Sequence, residues 1–161
     1  MIKKIVEFID FRLELVRKLT SIMVIYSFGI LVLAVFSQVI WRFVFNNPFS
    51  WTEELARILQ VWLVLLTSSI CIRKGSHLSI DYAIHALPFK YKKVLKLIVM
   101  LFILFYLLIL IIYGSRLIMI TLNQTTAALR VPIYVVYLAF PIGGFLMFLE
   151  SLLIFLKLMI A

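Results

Sequence analysis

Leu19–Trp41 reads LTSIMVIYSFGILVLAVFSQVIW, twenty-three residues without one charge. A helix rises about 1.5 Å per residue, so about 20 apolar residues cross the roughly 30 Å hydrocarbon layer of a bilayer. Three further runs follow. Ile58–Ile72 is uncharged over 15 residues, and Leu97–Ser115 and Val131–Leu149 over 19 each. The second is too short alone, so it extends back past Arg57 towards Trp51. Lipid offers the backbone no hydrogen-bond partner, which leaves helices or a closed barrel. The strict alternation of a half-buried strand is missing from all four runs. The expected fold is therefore all-α and membrane-embedded, with spans at about 19–41, 51–73, 94–122 and 132–158.

Composition agrees. Of the 161 residues, 65% are hydrophobic and 14% charged, and the mean hydropathy is +1.17. A soluble chain of this size cannot hide so much apolar surface in one core. The net charge of +9 would suggest nucleic acid in a soluble protein. Here most of the excess sits in two clusters beside apolar runs, where an anionic lipid surface explains it and no nucleic acid is needed. The single cysteine, Cys71, excludes an internal disulfide and any CxxC metal site. The first run is not read as a signal peptide. It is too long, it follows Glu7, Asp10 and Glu14, and it ends at Trp41-Arg42 without a small-residue cleavage site.

Twelve of the 16 Lys and Arg residues fall at one end of the four spans: Lys3, Lys4, Arg12, Arg17 and Lys18, then Arg73, Lys74, Lys90, Lys92, Lys93 and Lys96, then Lys157. The positive-inside rule places that end, with both termini, in the cytoplasm. Trp41, Trp51 and Tyr134 then mark the outer boundary, and Tyr82 and Tyr91 the inner one. Residues 1–18 form a separate unit ahead of a transmembrane domain at 19–161. Ile2, Ile5, Val6, Ile9, Leu13 and Val16 share one helical face, with charges on another, as in a helix lying on the inner leaflet. A helix docked on a partner subunit has the same pattern.

The inner loop carries a second short amphipathic helix, ended by Pro88. Its His77, Asp81 and His85 are four apart and so lie along one face. A structural zinc site takes four ligands, and no thiolate is near. A polar face with an Asp81–histidine hydrogen bond is the better account. Haem needs histidine within the spans, and both histidines lie in this loop. No metal or cofactor is expected. Neither a nucleophile–base set nor a phosphate loop can be assembled, so the chain reads as a non-enzyme.

The outer hairpin, Arg42–Arg57, reads RFVFNNPFSWTEELAR. Asn46-Asn47-Pro48 is a turn. Ser50 and Glu53 have the spacing of a capping box at the start of the second span. Glu53 and Glu54 suit the positive end of its dipole. Arg57 can pair with either acid, and Arg42 leaves the first span at the same level. The set Arg42, Ser50, Glu53, Glu54 and Arg57 is read as a staple between spans one and two; the competing reading is a proton or substrate site. Gln60, Thr67, Ser68 and Cys71 continue the Arg57 side, and Gln38, Ala139 and Gly143 offer the small or weakly polar surfaces used in helix packing. Glu150 is the deepest acid. It either pairs with Lys157 or an inner-loop cation, or couples transport. Pro141 is expected to kink the fourth span.

Arg42-Phe43-Val44-Phe45, Pro48 through Arg57, Trp62, and Arg73 through Asp81 together resemble the small membrane subunit of tripartite ATP-independent periplasmic (TRAP) transporters, the DctQ-like family. That resemblance implies three components. A soluble periplasmic binding protein captures an organic acid, of the dicarboxylate or sialic acid type. A large transmembrane subunit carries it inward, driven by sodium, with an elevator motion. The small subunit, in the bacterial inner membrane, enlarges the fixed scaffold and holds no substrate. The rival reading is a self-contained small homo-oligomeric transporter or channel that uses Glu150.

Overall fold

The computed structural model describes residues 2–46, 49–73 and 89–160, with side chains from 10, 13–46, 49–73 and 93–159. The elements are α1 (Ile2–Phe43), α2 (Ser50–Arg73), α3 (Phe89–Thr121), α4 (Tyr134–Tyr137) and α5 (Ala139–Ile160). Among the described residues there is no β-strand beyond one isolated bridge. Four stretches are long and apolar enough to cross a membrane: Leu13–Phe43, Ser50–Arg73, Lys93–Thr121 and Tyr134–Met159. The four spans expected from sequence are all present. The start of α1 and the end of α5 lie together at one end of the bundle, the terminal end, with residues 44–46 and the 122–133 loop at the opposite, hairpin end.

Two boundaries differ from the sequence reading. The expected surface helix and first span are one continuous helix of 42 residues, about 63 Å long. Nothing at the junction stops it. Residues 16–21 contain no glycine or proline, and the Thr20 and Ser21 hydroxyls donate to the Val16 and Arg17 carbonyls at 2.8 and 2.9 Å, within the helix. The change in charge pattern there marks a change of surroundings rather than a helix end. The fourth span is interrupted at Leu138, which keeps helical torsions (φ −57°, ψ −25°). Pro141 lies one turn later. Its nitrogen has no hydrogen for the Tyr137 carbonyl, and its ring crowds that oxygen.

The helices stand in the order α1, α2, α5, α3. The broad contacts are α3 on α5, α1 on α2 and α2 on α5, while α1 meets α5 over a smaller patch and α1 and α3 do not pack together. The central place of the fourth span shows in its burial: 39% of the most apolar part of Tyr134–Met159 is buried, against 11% for Leu13–Phe43 and for Lys93–Thr121. Small residues make this close packing work. Ala139 is almost fully buried. A Cβ on Gly143 would lie 2.7 Å from the Leu65 Cβ of α2, and one on Gly144 would lie 2.7 Å from Leu110 Cδ2 of α3. Adjacent glycines thus admit the neighbours on either side of α5. Below them, Ile72, Leu107 and Met147 join α2, α3 and α5, and Leu13 and Leu153 join α1 to α5.

Candidate functional site

Polar chemistry gathers at the two ends of the bundle. At the hairpin end, rings chain from helix to helix. Trp41 lies 4.5 Å from both Phe45 and Phe49, and Phe49 lies 6.1 Å from Trp51. Trp41 is half-buried and Trp51 exposed, as suits amphipathic rings at a membrane boundary. Thr52 is buried, and its hydroxyl donates to the Phe49 carbonyl at 2.7 Å. Ser50 is already helical. The Glu53 carboxylate accepts from Arg57 at 3.3 Å, an exposed pair one turn apart, and makes no hydrogen bond to Ser50 among the described residues.

Glu54 does something the sequence does not announce. Its Oε1 accepts from the Ala128 amide and its Oε2 from the Leu129 amide, each at 2.9 Å. The loop is shaped for this. Thr126 N donates to Val131 O and Ile133 N to Gln124 O, both at 2.9 Å, while the Thr126 hydroxyl accepts from Val131 N at 3.1 Å. Arg130 closes the tip at φ 54°. Two successive amides then face one way and form an anion-binding concavity. Glu54 therefore ties α2 to the α3–α4 loop. Arg42 stands apart: its guanidinium lies 5.8 Å from the Phe43 ring centroid, and it forms no ion pair with Glu53 or Glu54 among the described residues. Trp62 adds a second tie, its indole N–H donating to the Val135 carbonyl of α4 at 3.2 Å. A groove of about 490 Å³ opens beside these ties, between Arg57, Ile58 and Val61 of α2 and Thr126, Ile133 and Tyr137 opposite.

At the terminal end four charges alternate. Glu150 is buried, and its two oxygens accept from Arg17 Nε and Nη2 at 2.6 and 2.7 Å. Arg17 Nη1 donates to Asp10 Oδ1 at 2.6 Å, and Lys157 Nζ donates to Asp10 Oδ2 at 2.5 Å. Asp10 and Arg17 are seven apart on α1, as are Glu150 and Lys157 on α5. Two helical turns span about 10.5 Å, so antiparallel helices bring each acid opposite a base. The Lys157 ammonium holds the Asp10 carboxyl below its ordinary range; partial burial opposes this and the Arg17 guanidinium adds to it. A cavity of about 10 Å³, with room for one water, lies where Arg17, Thr20, Ser69, Arg73 and Glu150 converge.

The sequence reading singled out Glu150 and missed its partner. Lys157 reaches Asp10 instead, and Arg17 of α1 takes Glu150. The matched seven-residue spacing of opposite charges on both helices was the available signal. Among the packing residues, Gln38 is half-buried and Gln60 exposed, Ala139 and Gly143 are buried, and Thr67 Oγ1 is buried with no hydrogen-bond partner. Tyr82, His77, Asp81, His85 and the side chain of Tyr91 lie outside the described residues.

Known proteins carry the same pattern. The profile of the family described as "Tripartite ATP-independent periplasmic transporters, DctQ component" matches residues 31–160. A "Sialic acid TRAP transporter permease protein SiaT" of Haemophilus influenzae (strain 86-028NP) is 35% identical over 89 residues, which is 55% of this chain and 14% of that protein. A "C4-dicarboxylate TRAP transporter small permease protein DctQ" of Vibrio cholerae is 26% identical over 76 residues, 47% of this chain and 33% of that one. This chain thus spans less than half the length of either. A "Putative TRAP transporter small permease protein" of Haemophilus influenzae is 27% identical over 137 residues, 84% of this chain and 78% of its own. The family is one of transporter components, not enzymes, and with four apolar helices the chain is a multi-pass inner-membrane protein. By the match over residues 31–160, the chain belongs to the DctQ component family of tripartite ATP-independent periplasmic transporters.

Proposed function

We propose that this chain is the small membrane subunit of a sodium-driven, binding-protein-dependent secondary transporter for an organic acid, of the sialic acid or dicarboxylate type. It acts as a fixed brace. A larger transmembrane permease carries the solute, and the small subunit gives that permease's stationary part a wider footing in the bilayer. The terminal end, rich in Lys and Arg, faces the cytoplasm. The hairpin end faces the periplasm, where the Glu54-tied loop offers a firm surface to the soluble binding protein. The first turns of α1 continue the first span past the inner boundary and are fastened there to the end of α5, and Trp41 and Trp51 anchor the opposite boundary.

The observation that carries the brace reading is the state of Glu150. An ion- or proton-coupling carboxylate must release and regain its partner. Glu150 has both oxygens engaged by Arg17, within a four-charge set of zero net charge. That arrangement fits a fastening. It also weighs against a self-contained carrier, for which Glu150 is the natural coupling group. The test is uptake by the complete reconstituted transporter bearing Glu150→Gln in this subunit. A glutamine keeps a hydrogen bond to Arg17, and at least half of wild-type uptake is expected. Uptake at background from a fully assembled complex would overturn the reading.

A further inference from the structure

Lipid alone does not satisfy one face of α2. At helical steps of three and four, Glu53, Arg57, Gln60, Val64, Ser68 and Cys71 fall on one side. All but the half-buried Ser68 are exposed. The other sides of α2 pack on α1 and α5. The edge helices present a different surface. Between Ile22 and Ile40, α1 exposes only apolar and tyrosine side chains besides Gly29, and α3 does the same between Val94 and Tyr113.

Gln60 is the anomaly. It lies ten residues past Ser50, about 15 Å along α2 and so near the middle of the hydrocarbon. Its carboxamide makes no hydrogen bond among the described residues. Lipid tails neither donate nor accept hydrogen bonds. A mid-depth amide is satisfied by a polar group on another helix.

Resting on the brace reading, we propose that the Glu53–Cys71 face of α2 is where the larger permease seats a transmembrane helix, with a hydrogen-bonding side chain opposite Gln60. The relative SiaT argues for a permease over a second copy of this chain. There, the stretch similar to this chain is 14% of one longer polypeptide called a permease. In that relative a permease body accompanies the stretch in the same polypeptide. The exposed Glu53–Arg57 pair at one end of the face supplies both a donor and an acceptor at its rim.

Cys71, free and exposed, is a built-in reporter. The chain is co-expressed with the tagged large permease of its own transporter. N-ethylmaleimide modification of Cys71 is followed by intact mass, in the purified complex and in the chain alone. At least tenfold slower modification in the complex is expected. Gln60→Trp should lower the amount retained by the permease at least tenfold, whereas Phe36→Trp on α1 and Phe105→Trp on α3 leave it unchanged. Equal Cys71 rates in complex and free chain overturn the proposal, and decide it if the Gln60→Trp chain does not accumulate. Full retention of Gln60→Trp with loss of a dimer of the chain itself would assign the face to a second copy. A wild-type chain that the permease does not retain overturns the brace reading instead.

Discussion

Arg17 and Glu150 make the sharpest predictions at the residue scale. Removing one member of a buried pair strands the other in a poor solvent, which costs about 3–5 kcal/mol. Arg17→Leu, which strands the buried Glu150, should therefore lower stability in detergent by about 3 kcal/mol, and Glu150→Leu by less, because Arg17 keeps Asp10. Replacing both residues by leucine should cost much less than Arg17→Leu, because Asp10 and Lys157 remain a complete pair. Unfolding of these two single variants and the double in denaturant gives the coupling directly. Equal losses in Arg17→Leu and the double variant would mean that the pair is not a unit. Asp10 adds a pH dependence. Its carboxyl sits below the ordinary value of 3.8, so the charged form is favoured in the folded state. That contribution is complete above 3.8 and disappears as pH falls through the lowered value. The stability difference between wild type and Asp10→Asn should be flat from about pH 8 to 5, then shrink below about pH 4. A difference that grows with acid would contradict the assignment.

At the scale of elements, Gly143 and Gly144 separate two kinds of crowding on α5. A Cβ on Gly143 meets the Leu65 Cβ, an atom fixed to its backbone, at 2.7 Å. A Cβ on Gly144 meets Leu110 Cδ2, the far end of a side chain that can rotate, although Ile111 Cγ1 follows at 3.0 Å. Gly143→Ala should cost about 1–3 kcal/mol and Gly144→Ala visibly less, by thermal unfolding of the purified chain. The elements themselves were largely legible. Charge-free runs of span length have few other uses, so all four spans could be read from hydropathy. The continuity of α1 could not, since amphipathicity changes at Lys18–Leu19 while helix propensity does not. The Leu138 interruption was legible only as a proline effect, one turn from where it falls. At the candidate site, the Glu53–Arg57 pair follows from its spacing. The Glu54 tie does not, because its donors are the amides of Ala128 and Leu129, and backbone amides leave no residue signature. Arg17–Glu150 joins residues 133 apart in sequence, and pairing at that range depends on which helices become neighbours.

For the whole molecule, the row α1, α2, α5, α3 is an open slab rather than a closed bundle. Its edge helices expose most of their apolar surface. The deep charge is fastened at the terminal end, the ring array and the Glu54 loop stiffen the hairpin end, and α5 keys both neighbours together. Among the described residues the one deep acid is paired, which fits the brace proposed above better than a carrier. The most direct measurement is therefore solute flux into vesicles containing this chain as their only protein, under an inward sodium gradient, with labelled sialic acid and a labelled dicarboxylate in turn. The account predicts no uptake above empty vesicles for either solute, and uptake of one of them once the large permease and the binding protein are added. Sodium-dependent accumulation by the chain alone would contradict it.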